Sequence, residues 1–140
     1  MPDITISVLD NPSEDDHRAI LNPLLAFNRA KTGDDRYEPV ALVLRDATNQ
    51  TVGGLWAKLY YDWLFVELLF VPESLRGNAL GSKLLKQAEQ LAKEKGCVGI
   101  WLDTFSFQAP GFYEKQGYER FGTLPDYPRG RERVFFRKVF

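Results

Sequence analysis

The sequence predicts one mixed α/β domain: a mostly antiparallel central sheet with helices on both faces. Three observations lead there. Two strand-like runs, residues 40–44 and 52–61, follow one another across the polar turn Asp46-Ala-Thr-Asn-Gln50, as antiparallel neighbours do. The next run, Trp63-Leu-Phe-Val-Glu-Leu-Leu-Phe-Val71, is apolar on both faces except at Glu67, which is the pattern of a central strand covered on both sides. An amphipathic helical stretch then leads to another apolar run, residues 98–103, so that strand, helix and strand form a crossover.

In chain order, Ile4, Ile6 and Val8 alternate with Thr5 and Ser7, which is strand spacing. Residues 10–13 break that strand and supply helix caps. Ile20, Leu21, Leu24, Leu25 and Phe27 recur at helical spacing with Pro23 among them, so two short helices or one kinked helix follow. The strand over residues 52–61 is weakened by Gly53 and Gly54, and Tyr61-Asp62 is a short connection into the central strand. Leu80, Leu84, Leu85, Ala88, Leu91 and Ala92 form the apolar face of a helix, with Lys83, Lys86, Gln87, Gln90 and Glu94 opposite and Gly96 as its stop. Residues 109–116 form a short helix with Pro110 in its first turn. Strands over 118–123 and 133–140, joined by the loop 124–130, complete the order β-α-α-β-β-β-α-β-α-β-β. No repeat, low-complexity segment or linker divides the chain, so residues 1–140 read as one domain.

The 18 basic and 19 acidic residues leave a net charge of −1, which gives no general attraction to nucleic acid or to an anionic membrane; neither partner is expected. The single cysteine, Cys97, excludes an intramolecular disulfide and reads as a small buried residue. The first residues have no basic stretch followed by an apolar core, and no apolar run approaches the roughly 20 residues that span a bilayer. A cytoplasmic protein is expected. The one histidine, His17, lies among Glu14, Asp15, Asp16 and Arg18 and reads as solvated, and no Cys/His cluster suggests a metal.

Two segments carry the chemistry. The first is Val71-Pro-Glu-Ser-Leu-Arg76-Gly77-Asn78-Ala79-Leu80-Gly81, which joins the most apolar strand to the most amphipathic helix. Backbone N–H groups at a helix start are unpaired and partially positive, so they can hold a phosphate. Gly77 and Gly81 let the backbone come close, and Arg76 adds a guanidinium for a second phosphate or for ordering the loop. A plain strand-to-helix turn would use the same glycines. A Walker-type loop does not fit: three residues rather than four separate the glycines, and Ser82 precedes Lys83. The second segment, residues 103–118, follows the next strand and opens the short helix. Ala109 and Tyr113 are four apart and share one face of it, although packing is the default reading of a lone tyrosine.

Together the two segments resemble the GNAT superfamily of N-acetyltransferases, in the form of a small single-domain member. The superfamily's pyrophosphate loop reads Arg or Gln, two residues, Gly, one residue, then Gly or Ala. Arg76, Gly77, Asn78, Ala79, Leu80 and Gly81 take those places. Its later motif, an Ala with a Tyr four residues on, then Gly and an aromatic, is matched by Ala109, Tyr113, Gly117 and Tyr118. The resemblance runs from about residue 40 to the end. Two positions depart from it: Ala79 stands where the loop usually has Gly, and Ser106 where many members have Asn.

The resemblance implies an acetyl-coenzyme A-dependent N-acetyltransferase that moves an acetyl group to a primary amine by direct attack in a ternary complex. Acetyl-coenzyme A is then a cosubstrate and no metal is needed. The strands ending at Val71 and Asp103 splay, and the pantetheine arm pairs with backbone at Leu69, Phe70 and Val71. The pyrophosphate sits on Arg76, Gly77, Asn78, Ala79, Leu80, Gly81 and Ser82, while Ser106, Ala109 and Tyr113 complete the cofactor site. A backbone N–H polarises the acetyl carbonyl. Tyr113 is the candidate to protonate the leaving thiolate, a step uphill by about 1.5 units at unperturbed values; packing against the thioester is its other reading. Glu67 is either the general base, acting on the amine through a water, or half of a structural ion pair, for example with an arginine of the C-terminal strand. Asp103 is a second base candidate. The acceptor is a small-molecule or protein amine chosen by residues 27–36, 60–63 and 126–133, where Asp126 suits a cation and Arg129, Arg131 and Arg133 an anion. A non-catalytic acyl-coenzyme A-binding or regulatory module is the rival reading, and a homodimer is the default assembly.

Overall fold

The computed structural model describes residues 3–140. They fall into two compact units, one ending at Asp35 and the other Arg36–Phe140. The first unit is built on α1 (Glu14–Thr32). Ser13 caps its start: the Ser13 Oγ accepts from the Asp16 N–H at 3.1 Å, and the Asp16 carboxylate accepts from the Ser13 N–H at 2.9 Å. Pro23 lies inside the helix without ending it, so the interrupted apolar pattern resolves as one helix rather than two. A proline removes one intrahelical bond, here to the Ala19 carbonyl, and the turns on either side carry the helix through it. Residues 4–8 correct the expected first strand. They are exposed and join no ladder among the described residues, because alternation supplies a strand's face but no partner for its backbone.

The second unit holds a six-stranded sheet, β1 (Glu38–Arg45), β2 (Thr51–Tyr60), β3 (Trp63–Phe70), β4 (Gly99–Phe105), β5 (Glu119–Pro125) and β6 (Glu132–Val139), in the spatial order β1-β2-β3-β4-β6-β5. Only β3 and β4 run parallel, because the helix α2 (Leu80–Glu94) crosses between them. A short helix, α3 (Pro110–Lys115), joins β4 to β5. The observed order is therefore α-β-β-β-α-β-α-β-β: the mixed, mostly antiparallel sheet and its crossover stand, without the leading strand. No helix among the described residues is long and apolar enough to cross a membrane.

The hairpins follow from local chemistry. Tyr61 and Asp62 take positive φ, +47° and +69°, as a two-residue turn between right-twisted strands requires. At Gly54, β2 comes so close to β1 that a Cβ would lie 2.2 Å from the Leu42 carbonyl oxygen, at a φ of +142°. The residue that weakens the strand by propensity is the one that lets it pack.

One face of the sheet makes the core. Leu55, Ala57 and Leu59 of β2 line up with Leu64 and Val66 of β3, Ile100 and Leu102 of β4, and Val134 and Phe136 of β6; Leu84, Leu85, Ala88 and Ala92 of α2 close over them. Tyr113 of α3 joins the same cluster. The other face of β3 departs from the expected full burial. Trp63 and Phe65 are half-buried, and Phe65 stacks on Trp101 with ring centroids 4.1 Å apart. The apolar character of that face goes into a cross-strand aromatic stack.

Candidate active site

The cleft begins at a fault in the sheet. β3 and β4 pair from Trp63–Gly99 to Val66–Leu102 and no further. At the next residue the β2–β3 ladder bulges: Ala57 faces Val66 and Trp56 faces Leu68, so Glu67 has no residue across from it. The extra residue shifts the alternation. Leu64 and Val66 are core residues before it, and Leu69 and Val71 pack against the core after it. Beyond the bulge β3 stays with β2 while β4 stays with β6, and the β4-facing edge of residues 67–70 is left without a strand. Its backbone groups are available to an extended ligand.

From β3 the chain passes through a single 3-10 turn, Glu73–Leu75, into the loop that opens α2. Gly77 at φ +88° and Ala79 at φ +58° give the loop its left-handed winding. The Ala79 carbonyl accepts from the Lys83 N–H at 3.0 Å and so starts the helix. The N–H groups of Leu80, Gly81 and Ser82 have no carbonyl behind them within the helix, and they carry its partial positive charge. Arg76 Nε donates to the Val71 carbonyl at 3.0 Å, which fastens the loop to the end of β3. Its side chain thus orders the loop, and Arg76 is one of the residues lining the cleft.

The opposing wall comes from α3 and the turn before it. A Cβ on Gly81 would lie 3.4 Å from the Phe112 ring, so the start of α2 and α3 are in near contact. Leu69, Phe70 and Val71 on one side, the loop from Arg76 to Ser82, and Gln108, Ala109, Phe112 and Tyr113 on the other line a cleft of about 770 Å³. That volume suits a ligand of cofactor size. Tyr113 is 9% exposed, with its ring against Phe112, Tyr118 and Phe136. Burial, with the Asp103 carboxylate adding to it, pushes the Tyr113 phenol up to about 12. The phenol therefore keeps its proton across the neutral range, and Tyr113 is among the residues lining the cleft.

Not every candidate residue lines that cleft. Asn78 turns back, donating through Nδ2 to the Leu75 carbonyl at 3.1 Å. Ser106 is spent on the sheet: its Oγ accepts from the Glu132 N–H at 3.0 Å, and its own N–H donates to the Glu132 carbonyl at 2.8 Å. Gln108, which spacing alone does not single out, lines the cleft instead. Its side-chain oxygen accepts from the Phe105 N–H at 2.8 Å and from the Thr104 hydroxyl at 3.1 Å, so it stitches the end of β4 to the start of α3. Glu67 is exposed on the bulge, with Lys58 Nζ at 3.8 Å. The arginine of the C-terminal strand goes to Asp103 instead, with Arg133 Nε donating at 2.8 Å. In the antiparallel β4–β6 register Asp103 faces Phe135 and Phe105 faces Arg133, which makes Asp103 and Arg133 diagonal neighbours on one face.

Residues 8–118 match the model of the acetyltransferase (GNAT) family. The chain belongs to this family. It is 36% identical to an acetyltransferase from Bacillus cereus of known structure, over 96% of this chain and 98% of that one, with a TM-score of 0.85. Over 82 residues it is 45% identical to the blasticidin-S acetyltransferase of Streptomyces morookaense; that stretch is 58% of this chain and 60% of the relative. A Bacillus anthracis structure described as a streptothricin acetyltransferase, solved with acetyl coenzyme A, is 25% identical with a TM-score of 0.64, over 73% of this chain and 62% of that one.

In this GNAT acetyltransferase the backbone at Ala79 carries a cost. A residue with a Cβ pays about 1 kcal/mol to sit in the left-handed region that Ala79 occupies. Ala79→Gly should remove that strain, offset in part by the greater freedom of glycine in the unfolded chain. The expected result is a calorimetric Kd for acetyl-coenzyme A equal to or up to about threefold tighter than that of the parent, with the melting temperature unchanged or raised. Weaker binding would mean that the methyl group itself contacts the cofactor.

Proposed function

We propose that this GNAT acetyltransferase moves an acetyl group from acetyl-coenzyme A to a primary amine of a small molecule, by direct attack in a ternary complex. The observation that carries the reading is the cleft itself. A positive helix start stands at one end, an unpaired strand edge runs along it, and a protonated tyrosine is set into its wall. The first can hold a pyrophosphate, the second an amide-bearing arm, and the third a leaving sulfur. The blasticidin-S acetyltransferase among the relatives supports a small-molecule amine as the acceptor class.

In the step itself the neutral amine nitrogen attacks the acetyl carbonyl carbon. Before the attack a base takes the proton that the acceptor ammonium carries; then a C–N bond forms, the C–S bond breaks, the sulfur leaves as thiolate and the surplus proton on the nitrogen passes to solvent. Glu67 is the base in this reading. Its side chain is 37% exposed and its cation lies at a loose 3.8 Å, so it can reach an amine through a water. Asp103 is engaged by Arg133 at 2.8 Å, a closer pair than Glu67 has. The Tyr113 O–H supports the thiolate.

The test is free-thiol release from acetyl-coenzyme A across a panel of amines that includes blasticidin S, other cationic antibiotics, amino acids and a lysine-containing peptide. Release is expected with at least one small-molecule amine and to depend on it. Release with the peptide alone would move the acceptor class. No release with any amine, together with no calorimetric binding of acetyl-coenzyme A, would remove the enzyme reading.

A further inference from the structure

Behind the wall of the cleft lies a buried polar cluster that the chemistry above does not use. The Tyr118 hydroxyl donates to Glu89 Oε2 at 2.7 Å, and Lys138 Nζ donates to Glu89 Oε1 at 3.1 Å. Tyr118 is 4% exposed and Glu89 9%. Both Glu89 oxygens are taken, and the Lys138 ammonium also sits 4.8 Å from the centroid of the Tyr118 ring. A buried carboxylate between two donors is costly to assemble and, once assembled, has one geometry.

What matters is what the cluster joins. Glu89 lies on α2, roughly 14 Å along the helix from the loop that opens it, at 1.5 Å per residue. Tyr118 follows α3, and its N–H donates to the carbonyl of Tyr113 at 3.0 Å. Its ring also meets the ring of Tyr113 edge to face, with centroids 6.1 Å apart. Tyr118 thus holds Tyr113 by the backbone with one end and α2 by the hydroxyl with the other. α3 has only six residues, too short to be rigid alone, and it needs an outside fixture to keep Tyr113 in register with the cofactor loop.

We infer that Tyr118 and Glu89 are positioning residues, and that the hydrogen bond between them fixes the distance between Tyr113 and the phosphate-binding start of α2. The inference rests on the role given to Tyr113 above. Burial and the Glu89 bond push the Tyr118 phenol upward, so the donor keeps its proton at working pH and the tie does not slacken there.

Single-turnover acetyl transfer to an amine accepted in the panel, cofactor affinity and melting curves would be measured for Tyr118→Phe, Glu89→Gln, Tyr113→Phe and the double variant Tyr113→Phe/Tyr118→Phe. Tyr118→Phe keeps the ring and loses the bond. It should slow transfer about tenfold, as a displaced catalytic group does, with the Kd for acetyl-coenzyme A within about twofold of the parent. Glu89→Gln can accept from Lys138 Nζ through its one oxygen while its NH2 group donates to the Tyr118 hydroxyl, so the tie survives with its direction reversed and the rate should stay within about threefold of the parent. The double variant should be no slower than Tyr113→Phe alone, because a misplaced Tyr113 has nothing left to lose. A merely stabilising bond would instead lower the melting temperature and multiply the two rate losses, and that overturns the inference. So does a Glu89→Gln loss as large as that of Tyr118→Phe. If Tyr113→Phe slows transfer and Tyr118→Phe does not, the tie alone falls; if Tyr113→Phe has no effect, the role of Tyr113 falls and the tie with it. Should Tyr118→Phe lose its cooperative melting transition, Glu89→Met breaks the same bond from the other end.

Discussion

Tyr113→Phe should slow the acetyl-transfer step about 10²-fold while leaving the affinity for acetyl-coenzyme A nearly unchanged. The substitution deletes one hydroxyl from a ring that stays packed against Phe112, Tyr118 and Phe136. The cleft keeps its shape, so ground-state binding is preserved. What is lost is a donor to a sulfur whose negative charge appears only as the C–S bond breaks, and such an interaction lowers kcat rather than raising KM. The phenol lies near 12, against about 8.5 for a free thiol, so complete proton transfer would be uphill by about 3.5 units, or roughly 5 kcal/mol. In the proposed function Tyr113 would therefore act through a hydrogen bond rather than by complete proton transfer. The sign also fixes the pH profile. A phenol raised above its free value stays protonated until the pH approaches its folded value, so Tyr113 should add no alkaline limb to kcat below about pH 11. A loss under about threefold in Tyr113→Phe would leave the tyrosine as packing alone.

Glu67→Gln should show a loss that depends on pH: about 10²-fold at pH 6, shrinking toward parity as the acceptor amine deprotonates in solution. As the proposed base, the carboxylate takes a proton from an ammonium, and it would have nothing to do once free amine is the predominant form. The fold should hardly notice. Glu67 is exposed and its contact with Lys58 at 3.8 Å is that of a surface pair, worth at most about 1 kcal/mol, so the melting temperature should move by only a few degrees. Single-turnover rates from pH 6 to 10 beside melting curves separate the alternatives. A rate loss equal at every pH, or a collapse in stability, would make Glu67 structural and leave its proton to another group.

The sequence shows the crossover well because α2 repeats Leu84, Leu85, Ala88 and Ala92 at helical spacing between two apolar runs, and no strand can satisfy that pattern. The bulge at Glu67 is hidden by its neighbours. The core row shifts from Leu64 and Val66 to Leu69 and Val71, but Leu68 and Phe70 are apolar too, so the change of parity leaves no trace in polarity. The left-handed turn at Ala79 is equally silent, since alanine is the residue that advertises an ordinary helix. The pairing of Asp103 with Arg133 depends on the register of two strands 30 residues apart, which no local pattern encodes. Ile4, Ile6 and Val8 mislead in the opposite way, because a face suited to a sheet is legible while the presence of a partner strand is not.

The early end of the β3–β4 ladder also bears on what can join this sheet. Unpaired strand edges invite other polypeptides to add to them, and the usual defences are charge, proline or a covering helix. The edges opened by that early end lie inside the sheet and are short: four residues of β3, 67–70, and three of β4, 103–105, where Gln108 already takes the Phe105 N–H. Strands usually run about three to ten residues, most often five or six, so the notch is at the short end of what a polypeptide strand fills. A thin chain with an amide every few bonds needs much less. The notch is therefore a poor docking place for another strand, while in the proposed function the same unpaired backbone serves a small-molecule arm.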